Sequence, residues 1–366
     1  MKIPVYQPLL SGNEKEYVLD CLESSWISSK GKYVGQFEQA FATYIGSNYA
    51  SSVSNGTVAL HLALVALGIG PGDEVIVPAF TYIASANAIL YTGATVVLAD
   101  SLADTWQIDP DDLNAKITPR TKAIMVVHLY GHACDMDRIC NIAHTNNLFL
   151  IEDCAEALGT KYKNRHVGTF GQLSTFSFFG NKTITTGEGG MVVTNDPVLY
   201  EKCQRYKSQG VSATKEYWHD VIGYNYRMTN ICAAIGLAQL EQIETFLNAK
   251  RQIALYYAQQ LTGFPLITHR ESPDVEHSYW MCSILLDDPA ERDPLRNHLA
   301  LHGIETRPVF YPLHELPMYA GSNEQHPVAE NLSKRGINLP SWPGLTNENL
   351  NFVVNSIRGF FEQKTC

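Results

Sequence analysis

Lys182 has the least ordinary surroundings of any residue in this sequence. It follows the aromatic run Phe176-Ser177-Phe178-Phe179 and precedes three glycines within four positions, Gly187, Gly189 and Gly190. An ammonium is strongly hydrated and usually reaches water at the end of its stem. Carried between an apolar strand and a glycine-rich turn, it would be partly desolvated, its pKa would fall, and a nucleophilic amine would result. The plainer reading is a surface lysine on a loop, and residues elsewhere in the chain decide between the two.

Four further features bear on that choice. Phe149-Leu150-Ile151-Glu152-Asp153 is an apolar strand ending in two carboxylates, and Asp153 could pair there with a buried cation or simply cap a helix. Ser54-Asn55-Gly56-Thr57 puts small residues where a strand gives way to a helix, so backbone N–H groups at Gly56 and Thr57 could hold a phosphate, aided by the helix dipole. No Walker A loop and no G-x-G-x-x-G fingerprint follows a strand. Ser177, five positions before Lys182, could add a hydroxyl to the same phosphate. Phe80-Thr81-Tyr82 offers an aromatic face to a planar ring or, equally, to the core. Phosphate donors, a stacking aromatic, a carboxylate for a pyridinium nitrogen and a lysine for a Schiff base together describe a site for pyridoxal 5′-phosphate (PLP). His132, Cys134, Cys140 and His144 are zinc-ligand types, but their spacing is irregular and no Cys-x-x-Cys occurs, so packing is the reading taken and no metal site is expected.

The elements that would position these groups alternate. Short apolar runs, at Tyr49–Val53, Glu74–Val77, Ala94–Ala99, Ala123–His128, Phe149–Glu152, Ser174–Phe178 and Gly190–Thr194, predict strands covered on both faces. Between them Gly56–Leu67, Tyr82–Tyr91 and Met136–Asn146 predict helices. The pattern argues for an α/β domain with a mostly parallel sheet, whose ligands bind beyond the strands' carboxyl ends. Residues 1–35 read as an arm with a helix from Glu14 to Ser24. A long amphipathic stretch, Thr229–Leu261, predicts one connector helix. Beyond it His277–Leu285 and Glu305–Tyr311 predict strands, and Arg292–Leu301 and Asn347–Gln363 helices. The expected division is 1–240, arm and large α/β domain, and 241–366, connector and small C-terminal α+β domain.

Composition narrows the function classes. The 366 residues carry a formal net charge of −10, with 37 acidic against 27 basic residues. That balance argues against a nucleic-acid binder, and an anionic substrate would have to be met by a few local cations. No apolar run approaches a membrane span, and the start of the chain lacks the apolar core of a signal peptide. Eight scattered cysteines read as reduced thiols in a cytoplasmic protein.

The motifs Ser54-Asn-Gly-Thr-Val-Ala-Leu60, Pro71-Gly-Asp-Glu-Val-Ile-Val-Pro78, His128-Leu-Tyr-Gly-His132, Ile151-Glu-Asp-Cys-Ala-Glu-Ala157, Phe176-Ser-Phe-Phe-Gly-Asn-Lys182, Gly187-Glu-Gly-Gly-Met191 and Gly223-Tyr-Asn-Tyr-Arg-Met228 resemble, in order and over nearly the whole chain, the DegT/DnrJ/EryC1/StrS sugar aminotransferases. The resemblance implies an aspartate-aminotransferase-like, fold-type I architecture. It also implies a PLP enzyme that moves an amino group from L-glutamate to C4 of a nucleotide-linked 4-keto-6-deoxyhexose, in the first instance a GDP-linked 4-keto-6-deoxymannose used for O-antigen. A dTDP- or UDP-linked sugar is the nearest alternative, and a non-catalytic PLP-binding regulator a more distant one. Dehydratases resembling this family carry His where Lys182 stands, which argues against that chemistry.

By the same resemblance Lys182 is the Schiff-base residue, Asp153 the pyridinium partner and Tyr82 the stacking aromatic, with Ser177, Gly56 and Thr57 on the phosphate. Asn225 would reach the phosphate of a neighbouring subunit, making a homodimer with shared sites and leaving a tetramer open. Glu156 would meet the cofactor's ring oxygen or the substrate. Ser29, Lys30, Arg307, Tyr311 and His314 are candidates for the sugar and pyrophosphate, where an arginine fork suits a diphosphate.

Overall fold

The structure, a computed structural model, describes residues 2–212, 214–319 and 325–365. Seven strands form one sheet in the order Tyr49–Val53, Gly190–Thr194, Leu173–Ser177, Phe149–Asp153, Thr121–Val127, Glu74–Pro78, Thr95–Ala99. Only Gly190–Thr194 runs against its neighbours; the other pairings along the row, from Leu173–Ser177 to Thr95–Ala99, are parallel. Both faces are covered, as the continuous apolar runs require. Within Thr121–Val127, Ala123, Met125 and Val127 enter one core while Ile124 and Val126 enter the other. On the second face the helix Lys32–Ile45 sets Phe37 and Phe41 against Phe176 and Phe178 at ring separations of 5.0–5.5 Å. The aromatic run before Lys182 is therefore anchored in the core on alternate residues.

A second sheet, four-stranded and antiparallel, orders Leu266–Thr268, Cys282–Leu286, Gly336–Leu339 and Arg307–Pro308. Its core takes Ile253 and Tyr257 from the helix Ile243–Gln260, Val353 and Ile357 from Asn347–Thr365, and Ile3 from the start of the chain. No helix among the described residues is long and apolar enough to cross a membrane.

Three expectations need correction. The stretch Thr229–Leu261 is two helices, Asn230–Glu241 and Ile243–Gln260, with Gln242 between them at φ −102°, ψ 2°. Gln239 is drawn toward the arm, its amide donating to the Leu9 carbonyl at 2.9 Å and to Glu14, while the second helix turns to the smaller sheet. Neither Gly nor Pro marks the break, so the amphipathic pattern runs through it. The strand expected over His277–Leu285 begins only at Cys282. Residues 278–280 instead bond the large domain's loop, Ser278 N–H to Gly131 O and Trp280 N–H to Tyr130 O, both at 3.1 Å. Of Glu305–Tyr311 only Arg307–Pro308 pairs as a strand.

Candidate active site

A cavity of about 680 Å³ opens at the carboxyl ends of the parallel strands. Gly56, Thr57, Tyr82, Asp153, Glu156, Ser177, Lys182 and Arg307 all line it.

At one side the helix Gly56–Ala66 begins. Asn55, extended at φ −166°, caps it by accepting the Val58 N–H at 3.0 Å. The N–H groups of Gly56 and Thr57 precede that cap bond, in the part of a helix whose donors have no partner within it. A side chain at Gly56 would place Cβ 2.8 Å from Ser177 Cβ, and one at Gly190 would come within 2.6 Å of the Asn55 carbonyl. The two glycines let the strand bearing Ser177 and the helix start close on one another, which puts a hydroxyl beside the backbone donors.

Asp153 ends its strand buried, with Oδ2 accepting the Ser85 hydroxyl at 2.8 Å and Oδ1 the Ala155 N–H at 3.0 Å. Burial pushes its carboxyl above the usual range, against the pull of those two hydrogen bonds and of the Lys182 charge. A buried acceptor so held is suited to a cationic N–H. Glu152, the preceding carboxylate, does other work. It accepts the N–H groups of Gly168, Phe170 and Gly171, each at 2.7 Å, and bonds His128 Nε2 at 3.1 Å. Because His128 Nδ1 accepts the Cys134 N–H at 3.1 Å, Nε2 carries the proton and donates it to Glu152.

Lys182 stands between an anion and an aromatic face. Its Nζ lies 3.7 Å from Glu156 Oε1 and 4.0 Å from the centre of the Trp280 ring. Burial lowers its pKa, opposed by Glu156 and then Asp153. Glu156 is buried too, and burial pushes its carboxyl up to about 7 against the charge of Lys182 and the Tyr130 N–H, which donates to Oε2 at 2.9 Å. Tyr130 adopts φ 56°, a left-handed backbone uncommon for so large a residue. The backbone of the lysine is also gripped: Tyr6 OH donates to the Lys182 carbonyl and Trp280 Nε1 to the Asn181 carbonyl at 2.8 Å.

Tyr82 lies at the mouth, 57 % exposed, its ring 5.6 Å from that of Phe310. Arg307 faces the same space and is half-exposed, with Glu305 3.5 Å away.

The remaining predicted residues do not line this cavity within the chain. Ser29 and Lys30 belong to a loop that Asn230 clamps, taking the Tyr33 N–H at 2.9 Å and donating to the Trp26 carbonyl at 2.6 Å; Lys30 lines a separate hollow with Trp26 and Asp20. Asn225 is exposed, on a segment bridged to Ser208. After Phe310 the chain turns as Leu313 N–H reaches the Ala79 carbonyl at 2.8 Å, so Tyr311 faces solvent and His314 meets Glu330 at 3.3 Å. The four possible zinc ligands are not drawn together: His132 bonds Ala133 O and Ser272, and Cys134 Sγ reaches Val127 O. Among the described residues, the cluster with metal-ligand atoms within 4.8 Å is His128, Glu152 and Cys154, where Glu152 is already saturated by hydrogen bonds.

Sequence reasoning missed Ser85, Asn181, Phe310, Asn338 and Trp280, all of which line the cavity. Trp280 carried a faint signal, a large aromatic at the start of an apolar strand. Asn181 has a buried Oδ1 with no hydrogen-bond partner, an acceptor left for something that enters the cavity.

Comparison with known proteins shows which family the chain resembles. The profile of the DegT/DnrJ/EryC1/StrS aminotransferase family matches residues 8–358. The chain is 62 % identical over 362 residues to a GDP-perosamine synthase of Escherichia coli O157:H7, covering 99 % of each. It is 53 % identical over 363 residues to a GDP-perosamine synthase of Vibrio cholerae, covering 98 % of this chain and 99 % of the relative. Among solved structures the PLP-form of Spr1654 from Streptococcus pneumoniae superposes with a TM-score of 0.95 at 29 % identity, over 99 % of both chains.

Proposed function

From the premise that this chain belongs to the DegT/DnrJ/EryC1/StrS aminotransferase family, we propose that it uses PLP to transfer an amino group from L-glutamate to C4 of GDP-4-keto-6-deoxymannose, yielding GDP-perosamine. The observation that carries this reading is a single cavity holding Lys182, the Asp153 strand end and the Gly56-Thr57 helix start. The names of the two relatives supply the sugar and the nucleotide.

The residues fit the cofactor. Gly56, Thr57 and Ser177 offer donors to a phosphate, Asp153 an acceptor to a ring N–H, Tyr82 a face, and Lys182 an amine. When bound, the cofactor supplies a carbonyl for that amine and an electron sink for the carbon being deprotonated. Lys182 then serves as the base that takes the proton from the donor's α-carbon and, in the second half-reaction, returns one to the sugar carbon. Its depressed pKa keeps a share of the amine neutral for that task. Glu156 holds the lysine by charge and Tyr130 holds Glu156. Arg307, at the rim, is placed to meet the substrate's diphosphate with its fork.

Ser29, Lys30, Asn225, Tyr311 and His314 are assigned to the site of a neighbouring subunit or to parts of the nucleotide beyond the cavity. Their positions outside their own chain's cavity suit a homodimer with shared sites, which is part of this proposal. A division at residue 240 is part of the proposal, with Ile3, which packs with the C-terminal core and bridges Ile304, assigned to the smaller domain. Among the described residues the seven cysteines are free thiols, which suits a cytoplasmic setting.

The test incubates the protein with PLP, L-glutamate and a panel of GDP-, dTDP- and UDP-4-keto-6-deoxysugars, with product read by mass. Amination of the GDP sugar is expected, together with a visible band that borohydride fixes on the protein. Lys182→Ala should remove both. Preference for a dTDP or UDP sugar would overturn the assigned nucleotide, and a colourless protein indifferent to PLP would overturn the chemistry.

A further inference from the structure

Lys250 is a fully buried lysine with no part in the chemistry above. Its Nζ donates to the carbonyls of Trp280 at 3.1 Å and Ser341 at 3.0 Å, and lies 5.3 Å from the centre of the Tyr6 ring. Among the described residues no carboxylate pairs with it. Burial brings its amine down to about 8. An ammonium held in the interior without an anion is costly, so its partners need it for geometry. Two of those partners, Trp280 and Tyr6, are the residues that grip the lysine turn: Trp280 Nε1 bonds the Asn181 carbonyl and Tyr6 OH the Lys182 carbonyl.

Trp280 is fixed from every side. Its N–H bonds Tyr130 O at 3.1 Å, its carbonyl accepts from Lys250, its indole N–H donates to the Asn181 carbonyl, and its ring stacks near those of Tyr130 and Phe310 at 5.9 and 6.3 Å. A ring so constrained presents its face to Lys182 Nζ at 4.0 Å, the geometry of a cation–π contact, and tryptophan is the best aromatic for it. We propose that Trp280 is the positioning residue for Lys182, and that Lys250 acts on Lys182 through it. The inference rests on Lys182 being the cofactor-linked residue.

The test uses cofactor-loaded enzyme and the pH midpoint of its lysine-linked visible band, alongside steady-state kinetics. Trp280→Phe keeps a ring but drops the indole donor and weakens the face. Its midpoint should fall by about half a pH unit, because the face favours positive charge at Nζ. Its kcat should fall by about tenfold with KM for glutamate within about twofold. Lys250→Met should move the midpoint as well, and the double variant W280F/K250M should lose no more than W280F alone, as sites acting in series require. Ile253→Ala, on the same helix and in the same small core, should lower thermal stability without moving the midpoint. Should W280F fail to fold, Trp280→Tyr, which also keeps a ring and drops the indole donor to the Asn181 carbonyl, is expected to shift the midpoint in its place. A midpoint unchanged in W280F, or in W280Y where that is used, overturns the positioning role. Additive effects in the double variant overturn the route from Lys250. A wild-type protein with no lysine-linked band overturns the assignment of Lys182 beneath both.

Discussion

At 3.7 Å, Glu156 and Lys182 set each other's charge: the carboxylate is the strongest of the groups that hold the amine's pKa up against burial. Replacing Glu156 by Gln keeps an acceptor for the Tyr130 N–H and removes the charge. The amine should then lose its proton at lower pH, so capture of added PLP by cofactor-free Glu156→Gln should have a pH midpoint lower by about one unit. Absorbance-monitored capture across pH checks this, and an unchanged midpoint would mean Glu156 carries its own proton throughout that range. The sequence offered Lys182 and Asp153 because each stands at the end of an apolar run, and because the helix start, Ser177 and Tyr82 together outweighed a surface lysine and a helix cap. Ser85 and Trp280 could not be found that way. Ser85 acts on a carboxylate 68 positions later and Trp280 on a carbonyl 99 positions earlier, and only the fold makes those contacts.

Among the elements, those whose pattern is set by burial on both faces were legible almost to the residue. Tyr49–Val53 and Gly190–Thr194 coincide with expectation, and the other five sheet strands differ by one or two residues at their ends. The elements misread are those whose fate is decided by a distant partner, such as residues 278–280, taken from their own sheet by the loop at Tyr130 and Gly131. The helix at Gly56 combines both kinds of information. Its cap, Asn55, is visible in the sequence, whereas the need for glycine comes from Ser177, whose Cβ would lie 2.8 Å from a new one. Gly56→Ala should push Ser177 away from the helix start. PLP affinity is expected to fall by tenfold or more, on the order of one misplaced phosphate bond, while thermal stability changes far less because the helix N-cap survives. Equilibrium titration with PLP and a melting curve separate the two effects; retained affinity would show that the strand and helix can part without harm to the phosphate site.

At the scale of the whole molecule, the proposed homodimer would complete the cavity from a second chain. Lys182, Asp153 and the helix start converge, but Asn225 is exposed on a segment that also displays Tyr217, Trp218 and Ile222 to solvent. Four such residues on one surface segment suit contact with a second copy, in which Asn225 would serve the partner's phosphate. Complementation decides this. Asn225→Asp places a carboxylate beside the phosphate and should weaken PLP retention; Lys182→Ala cannot form the link at all. In a mixed dimer one site collects both defects, and the other pairs an intact Lys182 with an intact Asn225. Unfolding and refolding an equimolar mixture should therefore restore activity to about a quarter of wild type, since half the dimers would be mixed and each would hold one sound site. If Asn225 worked in its own chain's cavity, every subunit in the mixture would carry a defect and no activity would return. Sedimentation of the same mixture confirms that dimers have re-formed, so a silent mixture of sound dimers counts directly against the shared site.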